Sequence, residues 1–158
     1  MRRAGTAAAV LALVTACGAG PSEVAGGGEA PTGVAPGVTL YFLDAQGELT
    51  AQVRETGRLG SISEAMSLLL SGPGDSELDT GIAATGAQRM TVTVREDEIE
   101  LMTPLAADEV TPAGIDQIVC TALAVHVQSG GSPDTGVRVR FTLPSPESDE
   151  VRGCPVIG

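Results

Sequence analysis

The apolar residues of this 158-residue chain take on a regular pattern only from Val38 onward. Before that point, residues 18–37 contain seven glycines and three prolines, no aromatic residue and no apolar periodicity. Such a segment cannot bury enough apolar surface to fold, so we predict a disordered Gly/Pro-rich tether over 17–37. The core-forming sequence is therefore confined to 38–158, which is enough for one small domain.

The first sixteen residues have the composition of an export signal. Arg2 and Arg3 precede an uncharged stretch of small and apolar residues over 4–16. That stretch is shorter than the roughly 20 residues a helix needs to cross a bilayer. A basic start followed by a short apolar run is typical of a signal peptide, so we predict one over 1–16.

The leader ends in Val14, Thr15, Ala16 and Cys17. This run resembles the bacterial lipobox, in which an aliphatic residue and two small residues precede a cysteine. The resemblance implies cleavage before Cys17 and a diacylglyceryl group on its thiol, with fatty acids such as palmitate. Two acyl chains hold a protein stably on a bilayer. We therefore expect a protein anchored to the extracytoplasmic face of the cell membrane through Cys17; the alternative is an ordinary signal peptide with an incidental cysteine.

The charge balance excludes several classes of site and partner. Nine arginines stand against 20 acidic residues, there is no lysine, and the net charge is −11. Without lysine there is no P-loop lysine and no Schiff base, and a single histidine excludes a site built on several histidines. An acidic chain is a poor ligand for nucleic acid, which requires clustered cations. We expect no nucleic-acid partner and find no residue pattern that indicates a cofactor.

From Val38 onward the pattern predicts strands and two helices in the order β(β)αββαβ. A capping box of Ser61 and Glu64 starts the first helix, and Thr111 followed by Pro112 starts the second. Strands are predicted where β-branched or alternating residues occur: 38–43, 49–53, 90–94, 98–102 and 137–142. Two apolar helix faces and a mixed β-sheet are buried most simply in an α+β two-layer sandwich.

The segment from Val38 to about Leu143 resembles the GerMN domain, which is named from a spore-germination and sporulation protein. Four pieces carry the resemblance: Val38–Asp44, Leu68–Pro73, the hairpin of Val92–Val94 and Ile99–Leu101, and the helix Ile115–Leu123 with the strand after it. The chain departs from the family at Glu96–Asp97, where the hairpin turn often has Asp-Gly. The whole chain also looks like small actinobacterial lipoproteins with one such domain.

The resemblance implies a function without catalysis. GerMN domains are not known as enzymes, and they support protein assemblies of the cell envelope. We therefore expect a non-catalytic interaction domain with an envelope protein as its partner, possessing no catalytic residue. The alternative is an envelope lipoprotein that binds a small molecule or an ion.

Two cysteines remain once Cys17 carries lipid. An exported chain with an even number of remaining cysteines favours a disulfide between Cys120 and Cys154. Cys154 lies in a C-terminal tail, 152–155, for which the sequence indicates no other anchor to the domain. The alternative is a buried free Cys120 and an exposed Cys154.

Two further groups of residues are candidates for chemical sites. His126 lies near the end of the second helix without a nucleophile motif, so a structural role is favoured over a catalytic base. Glu96, Asp97, Glu98 and Glu100 cluster at the predicted hairpin, but they lack the ligand spacing and glycine of a calcium loop. A solvated face is the favoured interpretation, with a weak Ca²⁺ site as the alternative.

Overall fold

The structure, a computed structural model, describes residues 37–157 and starts with an antiparallel hairpin. Strand β1 (Gly37–Leu43) pairs along its whole length with β2 (Leu49–Glu55). In the turn between them, the carboxylate of Asp44 accepts two backbone N–H bonds, and Gly47 has a φ of 82°. A positive φ of this size favours glycine, which explains the residue at this place in the turn.

The predicted signal peptide 1–16, the lipidation site Cys17 and residues 18–36 of the predicted tether lie outside the described residues, whereas Gly37, the last residue of that tether, is the first residue of β1. What the sequence indicates for them stays a prediction. No helix within residues 37–157 combines the length and the apolar character needed to cross a membrane.

Helix α1 (Ile62–Leu70) begins and ends where the sequence predicts. The Ser61 hydroxyl accepts a hydrogen bond from the backbone N–H of Glu64, and the Glu64 carboxylate accepts one from the N–H of Ser61 at 2.7 Å. Gly72 ends the helix with a φ of 84°. The helix buries one apolar stripe, consisting of Ile62, Ala65, Met66 and Leu69.

The other four strands form a second sheet in the order β3-β4-β5-β6. Strands β3 (Thr91–Val94) and β4 (Glu98–Met102) form an antiparallel hairpin. Strand β5 (Gly136–Arg140) lies parallel to β4, and the long crossover between them contains helix α2 (Pro112–Gln128). The predicted α+β class and element order are confirmed, with the strands divided between a two-stranded and a mixed four-stranded sheet.

The C-terminal tail has more anchors than the sequence indicates, so the expectation of no anchor besides the disulfide is wrong. Helix α3 (Pro146–Asp149) places the Ser148 hydroxyl 3.1 Å from the backbone N–H of Phe141, from which it accepts a hydrogen bond. Strand β6 (Val151–Arg152) then pairs antiparallel with β5. Segments of four and two residues are too short to show a periodicity, so neither element can be predicted from the sequence.

Helix α2 is buried on nearly every side. It packs against β1, β5 and α1, and nine consecutive residues from Gln117 to Val125 are buried. The sequence pattern predicts a single apolar stripe, which includes only Ile115, Ile118, Val119, Ala122 and Leu123. A helix buried all round lies within a core rather than on its surface. The two sheets are therefore held together by a shared central helix.

Two polar side chains of α2 satisfy the edge of β1 that no strand covers. The Thr121 hydroxyl accepts from the backbone N–H of Tyr41 at 2.9 Å, and the Gln117 amide donates to the carbonyl of Tyr41 at 3.1 Å. The same Gln117 side chain accepts from the backbone N–H of Gly81 at 2.6 Å. Both side chains are fully buried, and buried backbone groups need such partners.

Glycines allow the loop after α1 to reach the start of α2. The backbone N–H of Thr111 donates to the carbonyl of Gly81 at 2.8 Å. A Cβ atom on Gly114 would overlap that carbonyl, and one on Gly81 would overlap the Thr111 hydroxyl. Because neither glycine has a side chain, the loop packs closely against α2, and the N–H of Gly81 lies within hydrogen-bond distance of Gln117.

Replacement of Gln117 by leucine should destabilise the domain. The variant leaves the N–H of Gly81 and the carbonyl of Tyr41 without their partner, and an unsatisfied buried group costs about 1–3 kcal/mol. We expect a free energy of unfolding lower by about 2 kcal/mol, measured by urea denaturation. Gln128→Leu is the control, because its hydrogen bond to Thr39 lies at the surface. Equal stability of the two variants would contradict the role assigned to Gln117.

Candidate functional site

The two cysteines predicted to pair lie at disulfide-bond distance. Their Cα atoms are 4.8 Å apart, and both residues are buried. Cys120 lies in the middle of α2, and Cys154 follows β6 by two residues. The bond therefore joins the central helix to the C-terminal tail.

The side chain of His126 contacts the loop between α2 and β5. Its Nε2 atom lies 3.1 Å from the hydroxyl of Thr135, a buried residue in the loop before β5. Gly131 packs so closely against the ring that a Cβ atom there would overlap it. The ring therefore connects the end of α2 to the loop that leads into β5.

The outer face of the four-stranded sheet carries an ordered set of ion pairs, which we call the charged face. Register places Glu100 beside Arg138 and Met102 beside Arg140 on adjacent parallel strands. Arg138 reaches diagonally to Glu98 at 3.0 Å and Arg140 to Glu100 at 3.2 Å. Arg95 lies 3.7–3.8 Å from both glutamates. The guanidinium of Arg138 lowers the pKa of Glu98, chiefly through their hydrogen bond.

These ion pairs separate the four acidic residues of the hairpin into two exposed and two paired ones. Glu96 and Asp97 are exposed in the turn, whereas Glu98 and Glu100 are half-buried and bound to arginine. The two glutamates share one face, as the alternation predicts, and on this outer face each is paired with arginine. Across residues 37–157 no group of three or more potential ligands lies close enough to hold a metal ion.

A groove runs along the exposed side of α1, and we call it the α1 groove. It consists of neighbouring cavities of about 450, 330 and 270 Å³, all bordered by Ser67. The largest lies between the end of α1 and the segment Gly86–Arg89. Arg89 also borders the smallest cavity, while Val38 and Arg58 border the third. The groove therefore extends from the start of β1 to the loop before β3.

An ion pair closes one side of the α1 groove. Arg58 binds Glu64 through two guanidinium nitrogens, and Glu64 also accepts bonds from the N–H and hydroxyl of Ser61. These bonds lower the pKa of Glu64 from 4.5 to about 2. The hydrogen bond from Arg58 has the largest effect, and the bonds from Ser61 come next.

A further partly buried carboxylate, that of Asp116, lies near the start of α2. Asp116 borders a cavity of about 340 Å³ with Glu48 and Val156. Desolvation raises the pKa of Asp116, and the charge of Arg152 opposes that shift. This cavity has the tail as one wall, so the disulfide holds its shape.

Arg89 and the ion pairs of the charged face are not predicted from the sequence. A signal for the pairs existed, because Glu-x-Glu in β4 and Arg-x-Arg in β5 place opposite charges at the same spacing on two strands. No local pattern marks Arg89, since its position depends on how a loop without periodicity packs on α1. Comparison of the chain with protein-family models, with curated proteins and with solved structures finds no match. The GerMN resemblance stays a prediction.

Removal of the disulfide should lower stability markedly. A bond across a sequence separation of 34 residues stabilises by about 3–4 kcal/mol in the loop-entropy model. We expect Cys120→Ala/Cys154→Ala to lose that amount in urea denaturation under oxidising conditions. A reducing agent should destabilise the parent and leave the double variant unchanged. A double variant as stable as the oxidised parent would contradict a stabilising role.

Glu64→Gln should alter the acid stability of the domain. A carboxyl whose pKa falls from 4.5 to about 2 on folding stabilises the fold above pH 4.5, and this contribution disappears as the pH drops to about 2. We expect the variant to have a lower Tm than the parent at pH 7, and the difference to shrink between pH 4.5 and 2. The control is Glu77→Gln, at an exposed loop acid with no ion pair inside the described domain. A constant difference across this range would refute the assignment.

Proposed function

We propose that this protein is a membrane-anchored lipoprotein whose domain acts outside the cytoplasm as a non-catalytic interaction module. On this proposal Cys17 carries the diacylglyceryl anchor, and the tether separates the domain from the bilayer. The partner is a protein of the cell envelope, in an assembly of the kind that the GerMN resemblance implies, including those of sporulation.

The Cys120–Cys154 pair is the observation that carries the extracytoplasmic placement. Disulfides form and persist in oxidising compartments and are rare in the cytosol. The pair lies behind a leader whose basic start and apolar run are typical of export. The two signals are independent, because one depends on the first seventeen residues and the other on contacts within the folded domain.

Surface charge supports a protein partner over the lipid surface or nucleic acid. After removal of 1–16 the chain has seven arginines and 20 acidic residues, a net charge of −13. Anionic headgroups and phosphates repel such a surface. The charged face presents fixed, alternating charges with Met102 and Val151 exposed beside them. Such an arrangement suits recognition of a complementary protein surface, where charge pattern sets specificity.

The α1 groove favours a second candidate function, a lipoprotein that binds a small molecule. Its largest cavity, about 450 Å³, lies within the 300–1,000 Å³ range of small-molecule sites. The lining combines the apolar side chains of Leu70 and Ala87 with the polar ones of Ser67, Ser71, Gln88 and Arg89. The two candidate functions therefore differ in ligand and in site: a protein on the charged face, or a small molecule in the α1 groove.

Anchoring and partner capture can be tested together in the producing bacterium. We expect the parent protein in the membrane fraction and Cys17→Ala outside it, because the variant lacks the acylated thiol. A photo-crosslinking residue placed at Thr93, exposed on the charged face, should give one defined protein adduct. The same residue at Asp134, exposed in the loop before β5, is the matched control.

Membrane retention of Cys17→Ala would refute the lipid anchor. Adducts that are equally abundant and diverse from Thr93 and Asp134 would refute a specific partner on the charged face. An intact Met1 without acyl chains, found by mass spectrometry of the native protein, would refute the extracytoplasmic placement as well.

A further inference from the structure

The wall of the α1 groove opposite the helix has unused backbone hydrogen-bonding groups. Within the described part of the chain, no backbone N–H or carbonyl of Gly86–Arg89 takes part in a hydrogen bond. The segment lies outside any helix or strand and leads through Met90 into β3, the edge strand of the four-stranded sheet. Such a row of groups beside a sheet edge is a template for an added strand.

Arg89 supplies an unsatisfied positive charge at the same wall. Of the seven arginines among residues 37–157, it alone has neither a hydrogen bond nor an ion pair there; the other six are Arg54, Arg58, Arg95, Arg138, Arg140 and Arg152. It is exposed and borders two cavities of the groove. In so acidic a chain, a lone guanidinium between two cavities matches an acidic occupant.

The serine hydroxyls on the helical wall of the groove can accept hydrogen bonds from an occupant. The hydroxyl of Ser63 donates to the carbonyl of Met90, that of Ser67 to the carbonyl of Ser63, and that of Ser71 to the carbonyl of Leu68. Their protons are therefore already engaged, and the hydroxyl oxygens can only accept further bonds. An occupant must bring N–H groups toward α1 and a carboxylate toward Arg89.

We infer that the α1 groove binds an extended acidic peptide segment of the partner protein. The peptide adds as a strand beside Gly86–Arg89, its backbone pairs with the free groups of that wall, and one Asp or Glu side chain binds Arg89. Strand addition gains affinity from main-chain bonds and specificity from side-chain pockets. A free carboxylate or phosphate meets Arg89 but leaves the backbone groups and the serine oxygens unsatisfied. This inference rests on the proposed interaction function and adds a second contact with the partner, in the α1 groove, with a stated chemistry.

The test is selection from a displayed library of random nine-residue peptides on the full chain, isolated from membranes in detergent. We expect enriched peptides to carry Asp or Glu at one fixed position. They should bind Arg89→Gln at least tenfold more weakly than the parent. They should bind Arg152→Gln equally well, because Arg152 lies in β6, does not border the α1 groove, and its loss removes the same charge. Bound peptide should also slow amide hydrogen exchange at Gly86–Arg89.

Each other outcome overturns the inference. No enrichment, or peptides that bind Arg89→Gln as well as the parent, refutes the groove as a peptide site. Competition by acetate or inorganic phosphate at the concentration of the peptide shows a simple anion site instead. Crosslinking from Thr93 reports the proposed interaction function separately, so the groove can fail while a partner on the charged face is still found.

Discussion

The amide side chain of Gln117 is the one side chain that binds both the open edge of β1 and the loop at Gly81 within the described part of the chain. It donates to the edge of β1, accepts from the loop at Gly81, and belongs to the helix that separates the two sheets. A strand edge without a neighbouring strand has to be satisfied or exposed to water. Here Thr121 and Gln117, one helical turn apart, take the place of a strand. The division into two sheets is therefore possible because side chains of α2 supply the hydrogen-bond partners that a neighbouring strand would give to β1.

A second constraint is the shortage of cations in a strongly acidic chain. With seven arginines and 18 acidic residues between 37 and 157, almost every guanidinium is held by a carboxylate or a carbonyl. Arg138 and Arg140 bind the glutamates of the neighbouring strand, and Arg58 binds the capping residue of α1. Since pairing is the rule in this domain, Arg89 stands out by having no partner. Its position beside a groove gives that exception a functional interpretation.

The sequence predicts the elements well and their long-range contacts poorly. Caps and periodicity are local, so Ser61, Thr111 and the alternation of β4 and β5 place helices and strands within a residue or two. Gln117 lies between apolar residues, and its role depends on a loop 36 positions away. The short tail elements α3 and β6 have no period to detect. The cysteine pair could be anticipated because it depends on counting and compartment, whereas the α1 groove depends on packing of a loop without pattern.

Strand β1 is also the point at which mechanical force would enter the domain. It begins at Gly37, directly after the proposed tether, and is bound along both edges. Seven residue pairs join it to β2, while Thr121, Gln117 and the backbone of Asp79 hold the opposite edge. Because these bonds run across the strand, a pull along its axis stretches them together and not one after another. A pull on the proposed tether would therefore be resisted by all of these bonds at once, before β1 separates from the domain.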